Sequence, residues 1–284
     1  MSLSIPAPES DAFFNPNAIA LIGASSSATR IGGRTVAALL KHGFAGRIYP
    51  INPSHDVIQG VKAYARIEDV PEHVDLAVIS VPAAEVLDAL RSCIAKGVRA
   101  VVIYSSGFAE AGGDGAGMQA TIRFLARRAG VRVLGPNCLG FMSLPSKTIC
   151  TFGQAPNIGL PNGGGVSIVS QSGAFGTYTY GAGLFRRMPI SRWITTGNEA
   201  DVDFSDCVEW LVQDPETKVI MGYMEGCRDG PGLVRALENA HRAGKPVVIL
   251  KVGRSVAGAS AAQSHTAALA GDDQVYDAVF RRYG

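Results

Sequence analysis

His265 is the side chain whose surroundings in this sequence best suit nucleophilic chemistry. It lies in the segment Gly253–Gly271, which reads GRSVAGASAAQSHTAALAG and consists mostly of Gly, Ala and Ser. A segment with so few bulky side chains packs little surface and bends easily, as a carrier of a reactive group must. Taken alone, however, the segment favours a surface loop with an incidental histidine, because lone histidines are common hydrogen-bonded fillers. The rest of the chain must therefore supply what a reactive histidine needs.

A carboxylate and an anion-binding turn are the two features that would complete such a site. Glu225 follows the apolar run VIMGYM, and it would accept a ring N–H and make the other histidine nitrogen nucleophilic. The alternative is an exposed charge at the end of a strand. Ser172 and Gly173 lie in SQSG between a predicted strand and helix, where backbone amides would hold a free phosphate. The alternative there is an ordinary N-cap. A catalytic serine is disfavoured, because G-x-S-x-G is absent.

Short apolar strands alternate with helices along the chain, as in parallel sheets that are covered on both faces. In the first half we predict strands at AIALI, RIYPIN, DLAVISV, RAVVIY and Val131–Leu134. Residues 135–164 are rich in Gly, Pro and Asn, and we interpret them as the passage between two domains. The alternation then resumes with GVSIVS, which predicts a second doubly wound domain.

Ligands of open parallel sheets bind beyond the carboxyl ends of the strands. In the first half these ends carry small or turn-forming residues, which leave room for a ligand: Gly23, Ala24 and Ser25; Asn52 and Pro53; Val81, Pro82 and Ala83; Ser105, Ser106 and Gly107. Gly23 before a Ser-rich loop and a helix favours phosphate binding, although a turn of this kind without any nucleotide is the alternative. NAD is disfavoured, because G-x-G-x-x-G is not met and Asn52 stands where an acidic residue is expected.

Composition limits the classes of function. The chain has 284 residues with 47% hydrophobic residues, enough for two domains, and its formal net charge of +2 argues against a broad nucleic-acid or membrane surface. No apolar run approaches the roughly 20 residues that span a bilayer, and we find no secretory signal. The five cysteines form no C-x-x-C pair, which disfavours a disulfide framework or a zinc site. We therefore expect no bound metal in this chain and a cytoplasmic location.

Eight motifs in one order resemble the NDP-forming acyl-CoA synthetase family, and through it the alpha subunit of succinyl-CoA synthetase. Each motif is weak alone, but the ordered set is specific and runs from about Phe13 to the last residue. The motifs are LIGAS (Leu21–Ser25), INP (Ile51–Pro53), SVPA (Ser80–Ala83), SSGFAE (Ser105–Glu110), GPNCLGF (Gly135–Phe141), SQSGAFG (Ser170–Gly176), TTGNEADVD (Thr195–Asp203) and SHTAALAG (Ser264–Gly271).

The resemblance implies a Rossmann-like CoA-binding domain over residues 10–145 and a flavodoxin-like, doubly wound parallel-sheet domain over 146–284. The strand-end residues named above would line coenzyme A, Ser172 and Gly173 would cap a phosphate site, His265 would be phosphorylated, and Glu225 would steady it. The family converts a carboxylic acid, CoA and a nucleoside triphosphate into acyl-CoA, nucleoside diphosphate and phosphate. Two departures stand out: Ser54 replaces a frequent Lys, and Ala267 replaces the Gly of S-H-T-G.

The family takes its phosphoryl group from ATP with Mg²⁺ on an ATP-grasp domain, for which we find neither a sequence motif nor remaining length. We therefore expect a portion of a longer fused enzyme or, less in keeping with the ending at Gly284, a separate alpha subunit. Its partners would be CoA, a small carboxylic acid and an ATP-grasp domain or beta subunit in an oligomer. Two alternatives remain: a non-catalytic CoA-binding regulatory module of a protein acetyltransferase, disfavoured by His265, and an NAD-dependent reductase.

Overall fold

The first half of the chain folds around a five-stranded parallel sheet. The structure is a computed structural model that describes residues 10–253 and 273–283. The first sheet has the strand order β2-β1-β5-β6-β7, and a two-stranded hairpin of β3 and β4 lies beside it. The strands are β1 (Ala18–Ile22), β2 (Arg47–Ile51), β3 (Val57–Ile58), β4 (Val61–Lys62), β5 (Leu76–Ile79), β6 (Ala100–Ile103) and β7 (Arg132–Leu134). The central strands are almost wholly buried, as their unbroken apolar runs require.

One short helix precedes these parallel strands, and three longer helices connect them. They are α1 (Asp11–Phe14), α2 (Ile31–His42), α3 (Ala83–Ala95) and α4 (Gly115–Ala129), with 3-10 turns at Ile67–Asp69 and Ala109–Ala111. The long ones are amphipathic: α3 buries Val86, Leu90 and Cys93 at helical spacing. Gly43 ends α2 with a φ of 72° and Gly130 ends α4 with a φ of 66°, the left-handed geometry that glycine adopts without steric cost.

The second half folds around a six-stranded sheet with the order β13-β12-β10-β11-β8-β9. Strands β10 to β13 run parallel, so the predicted doubly wound fold is confirmed. The elements are β8 (Gly140–Ser143), β9 (Thr148–Thr151), α5 (Ala155–Ile158), β10 (Val166–Ser170), α6 (Gly173–Phe185), β11 (Ile190–Thr195), α7 (Phe204–Gln213), β12 (Val219–Met224), α8 (Gly230–Arg242), β13 (Val247–Lys251) and α9 (Asp273–Tyr283).

The segment interpreted as an interdomain passage is more regular than its composition indicates. Strands β8 and β9 form an antiparallel hairpin, and β8 pairs antiparallel with β11 at one side of the second sheet. The high content of Gly, Pro and Asn reflects the turns around this hairpin rather than a lack of pairing.

Side chains from both halves share one apolar cluster. Phe13 of α1 packs against Phe141 of β8 and against Trp210 of α7, with ring centroids 5.9 and 5.2 Å apart. The loop after β11 is tied to the first half through the backbone, since Asn198 N donates to Pro136 O and Ala200 N to Gly135 O, each at 2.9 Å. The two halves are therefore joined by packing and by main-chain hydrogen bonds. Among the described residues, no helix is both long enough and apolar enough to cross a membrane.

Candidate functional site

The structure brings the four predicted strand ends of the first half to one edge of the sheet. Ile22 is in register with Ile51 and Ile79, and Ile79 with Ile103. Strand order reverses between β1 and β5, because β2 lies on one side of β1 and β5 on the other. A crevice forms at such a switch point. The segments Gly23–Ser25 and Val81–Ala83 follow the two strands that flank it.

Glycines let the backbone crowd at this crevice. Gly23 has a φ of 82°, and a Cβ there would lie 2.7 Å from Ser80 O. A Cβ on Gly32, in the first turn of α2, would lie 2.0 Å from Gly23 O. Helix α2 therefore begins directly against the turn after β1, and the start of a helix favours an anion at such a turn.

The second strand end is fixed by side-chain amides. Asn52 donates from Nδ2 to Ala24 O at 2.8 Å, while its Oδ1 accepts from Ser54 N at 2.8 Å. Gln59, in the hairpin turn between β3 and β4, donates to Ser25 O at 3.1 Å and to Gly33 O at 2.9 Å. The sequence analysis did not identify Gln59, because no motif marks it.

The fourth strand end is held by a carboxylate. Ser105 Oγ donates to Val81 O at 2.5 Å, and Glu110 accepts from Gly107 N at 2.7 Å. Asn198, from the second half, also donates to Glu110. Burial alone would raise the pKa of Glu110, but the hydrogen bonds from Asn198, Gly107 and Phe108 outweigh it and lower the pKa. Pro53, Pro82 and Ser106 are exposed beside this edge, and Ala83 is half-buried.

The second sheet has its own switch point between β10 and β12, because β11 lies on one side of β10 and β12 on the other. Ser172 follows β10 as the N-cap of α6, and its hydroxyl accepts from Phe175 N at 3.3 Å. A Cβ on Gly173 would lie 2.6 Å from Leu139 Cγ, so only glycine lets α6 start this close to the hairpin. Glu225 follows β12 at the same edge and is buried, with 6% of its surface exposed.

Gln171 joins the ends of β10 and β12. Its Oε1 accepts from Glu225 N at 2.6 Å and from Gly226 N at 3.0 Å. Its Nε2 donates to Gly226 O and to the Glu199 carboxylate, both at 2.9 Å. The predicted phosphate turn and the predicted catalytic carboxylate are therefore connected through this one side chain.

Glu199 is a buried carboxylate that the sequence analysis quoted within TTGNEADVD without a role. Its Oε1 also accepts from Thr196 Oγ1 at 2.9 Å and from Phe204 N at 3.1 Å. Burial, followed by the nearby Asp203 carboxylate, raises the pKa of Glu199 to about 7, against the hydrogen bonds it accepts and the Arg228 cation. Gln171 and Glu199 line a cavity of about 1050 Å³, as do Arg132 and Arg228.

His265 and the motif SHTAALAG lie outside the described residues. Strand β13 runs parallel to β12 and ends at the same edge, because Lys251 pairs with Met224. Lys251 Nζ donates to Glu225 O at 3.0 Å. The chain thus leaves β13 beside Glu225, twelve residues before His265 when counted from Gly253.

Two family models match the chain. Residues 17–143 match the family model described as a CoA binding domain, and residues 163–284 match the succinyl-CoA ligase like flavodoxin domain. Fold and site thus define a chain that pairs a CoA-binding domain with a succinyl-CoA ligase-type domain.

Two relatives and one solved structure have names that specify an enzyme. The alpha subunit of ADP-forming acetate–CoA ligase I from Pyrococcus furiosus is 39% identical over 278 residues, which cover 96% of this chain and 59% of the relative. A trans-feruloyl-CoA synthase from an unknown prokaryotic organism is 39% identical over 264 residues, which cover 92% and 37%. The solved acetyl-coenzyme A synthetase 1 of Ca. Korarchaeum cryptofilum, in complex with phosphate and ADP, has a TM-score of 0.89 and 39% identity over 96% of this chain and 58% of that one.

The chain belongs to the NDP-forming acyl-CoA synthetase family, as its motifs predict. It spans between about a third and three fifths of the length of these relatives.

Proposed function

We propose that this chain is the CoA-binding, phosphoryl-carrying portion of an NDP-forming acyl-CoA synthetase. His265 is the phosphate carrier, and Glu225 accepts a hydrogen bond from one ring N–H of His265, which leaves the other ring nitrogen free to attack. The observation that carries the proposal is that each sheet presents its predicted motif residues at its own switch point. Gly23–Ser25 and Val81–Ala83 flank one crevice, and Ser172, Gly173 and Glu225 flank the other.

The chemistry consists of reversible group transfers. A phosphate oxygen attacks the acyl carbon of acyl-CoA, the C–S bond breaks, and CoA leaves as its thiol. A nitrogen of His265 then attacks phosphorus, the bond between phosphorus and the acyl oxygen breaks, and the carboxylate leaves. The N-terminus of α6 favours the negative charge of the phosphate in both steps, because its first N–H groups have no partner within the helix. Run in reverse, the same steps make acyl-CoA.

CoA is the ligand we assign to the first switch point, and the match to the CoA-binding family supports it. Its anionic phosphates suit the N-terminus of α2 and the backbone N–H groups of the turn after Gly23. Asn52 and Ser105 contact neighbouring loop carbonyls, so they shape the crevice rather than supply charge. The acid is a carboxylic acid whose size the experiment below decides, since the relatives' names span acetate and trans-ferulate.

ATP or ADP with Mg²⁺ belongs, in this proposal, to an ATP-grasp domain or beta subunit. The ADP-forming relatives, of which the chain spans only part, support this assignment. So does an exposed apolar surface on α6, where Tyr178 is 69% and Phe185 is 88% exposed, since large apolar side chains in a patch mark contact with a partner. All five cysteines are free in the structure, which supports a location in the reducing cytoplasm.

The test is phosphoryl labelling of the chain. [³²P]Phosphate with a panel of acyl-CoA esters, from acetyl to feruloyl, labels the protein in an acid-labile, base-stable form. His265→Ala abolishes the label, whereas His241→Ala, an exposed histidine on α8, retains it. Retained labelling in His265→Ala refutes the carrier assignment. CoA binding by calorimetry without any label from the panel would instead identify a non-catalytic CoA-binding module.

A further inference from the structure

The Gln171 carboxamide uses its full hydrogen-bonding capacity, which fixes its orientation. Its oxygen faces two N–H groups, those of Glu225 and Gly226, and its NH₂ group faces the Gly226 carbonyl and the Glu199 carboxylate. A rotated carboxamide would place its oxygen against two acceptors and its NH₂ group against two donors. The side chain therefore has one favourable orientation, and it locks the strand end that carries Glu225.

Glu199 supplies the only charged partner of Gln171 among these contacts, and its backbone is itself unusual. Its φ is 55°, in the left-handed region that a residue with a long side chain seldom occupies. Ala200 N donates to Gly135 O, and Glu199 Oε1 accepts from the N-terminal Phe204 N of α7. The surrounding structure thus holds a strained residue whose carboxylate reaches Gln171. This carboxylate has no role in the group transfers proposed for the site.

We propose that Glu199 is a positioning residue of the phosphoryl site, acting through Gln171 on the backbone of Glu225 and Gly226. The proposal rests on the proposed function in one respect, namely that Glu225 serves the phosphohistidine. The hydrogen-bonded connection itself is independent of that role. Glu199 touches no reacting atom, and its effect is to set where the Glu225 side chain begins.

Groups from three elements face Glu199 and control its charge. Asp203 caps α7, Arg228 lies before α8 with Nε 3.8 Å from Glu199 Oε2, and Thr196 follows β11. The cavity beside Glu199 provides access for protons from solvent. With its pKa raised to about 7, Glu199 changes charge near neutral pH, and the Gln171 contact changes from charge-assisted to neutral.

The experiment follows backbone N–H resonances of the full chain by NMR from pH 5.5 to 8.5. In the wild type, the Gly226 and Phe204 amides titrate together with a midpoint of about 7. The isosteric variant Glu199→Gln abolishes the pH dependence of both amide resonances. Gln171→Leu abolishes the pH dependence of the Gly226 amide only, because the Phe204 amide contacts Glu199 directly. The series is repeated in the background Glu225→Gln/His265→Ala, which removes titration by the Glu225 carboxyl and by the imidazole that the proposed function pairs with it.

A Gly226 amide that still titrates when Glu199→Gln is added to this background overturns the proposal. A Gly226 amide that still titrates when Gln171→Leu is added to this background also overturns it, because the effect then bypasses Gln171.

The functional test uses the phosphate-labelling rate. Glu199→Ala and Gln171→Ala each slow labelling about tenfold. The double variant is no slower than the slower single one, because the effects of two residues that act through the same series of hydrogen bonds do not add. Additive losses contradict the proposal. If His265→Ala remains labelled, the proposed function fails while the NMR result still decides the role of Glu199.

Discussion

Gly32→Ala tests whether the first switch point is the CoA site. The added Cβ would lie 2.0 Å from Gly23 O, and since real Cβ contacts essentially never fall below 3.0 Å, the start of α2 and the turn after β1 must separate by about 1 Å. Overpacking of this kind typically costs about 1–3 kcal/mol. Because the displaced atoms line the proposed site, we expect CoA affinity to fall about tenfold to a hundredfold.

Gly117→Ala is the matched control for this variant. Gly117 is also helical, but a Cβ there meets no atom within 4 Å, and the residue is exposed. We expect unchanged CoA affinity and a gain in free energy of unfolding of up to about 1 kcal/mol. Isothermal titration calorimetry with CoA measures affinity, and urea unfolding shows that both variants are folded. Wild-type CoA affinity in Gly32→Ala would refute the assignment of this crevice.

Three further variants test stability and the second site. Arg192→Met removes a buried cation that donates to Asp214 at 3.1 Å, and urea unfolding should show a loss of about 3–5 kcal/mol, because a buried carboxylate stays behind. Glu110→Gln should cost stability at neutral pH but not in acid. Since the folded state lowers the pKa of Glu110 below 4.5, its contribution is present above that value and is lost as pH falls through the folded pKa. Ser172→Ala removes the cap of α6 and should cost about 0.5–2 kcal/mol together with slower phosphate labelling.

For each of these three variants, one result would contradict the prediction. A loss below about 1 kcal/mol in Arg192→Met would mean that the Asp214 carboxylate finds other partners. A stability difference in Glu110→Gln that is independent of pH would contradict the hydrogen-bonded carboxylate. A Ser172→Ala variant that is less stable but labels at the wild-type rate would leave Ser172 as a structural cap only.

The spacing of apolar residues and the positions of turn-forming residues predict most of the fold. Strand β1 was predicted with its observed bounds, Ala18–Ile22, because an unbroken apolar run that stops at glycine has few other structures open to it. Strand β9 was missed for the opposite reason. It reads TICT within a Pro- and Gly-rich segment, and it is stabilised by pairing with β8 rather than by its own pattern.

The site was predictable where main-chain geometry marks it and not where side chains link distant segments. Gly23 and Ser172 lie at strand-to-helix turns, which sequence reveals. Gln59 and Glu199 contact residues 34 and 28 positions away, Ser25 and Gln171 respectively, and no local spacing encodes such contacts. His265 as a phosphate carrier stays a prediction.

The loop after β11 joins the two sites, and the reason is topological. Asn198 and Glu199 are consecutive, yet Asn198 donates to Glu110 at the first switch point while Glu199 accepts from Gln171 at the second. Consecutive side chains in an extended or turning backbone diverge, so one short loop that passes between the two sheets can contact both. Its backbone is fixed to Gly135 and Pro136 at the same time. One planar peptide unit, three bonds long, separates the Cα atoms of Asn198 and Glu199, so the contacts to the two sites start from backbone positions a fixed distance apart.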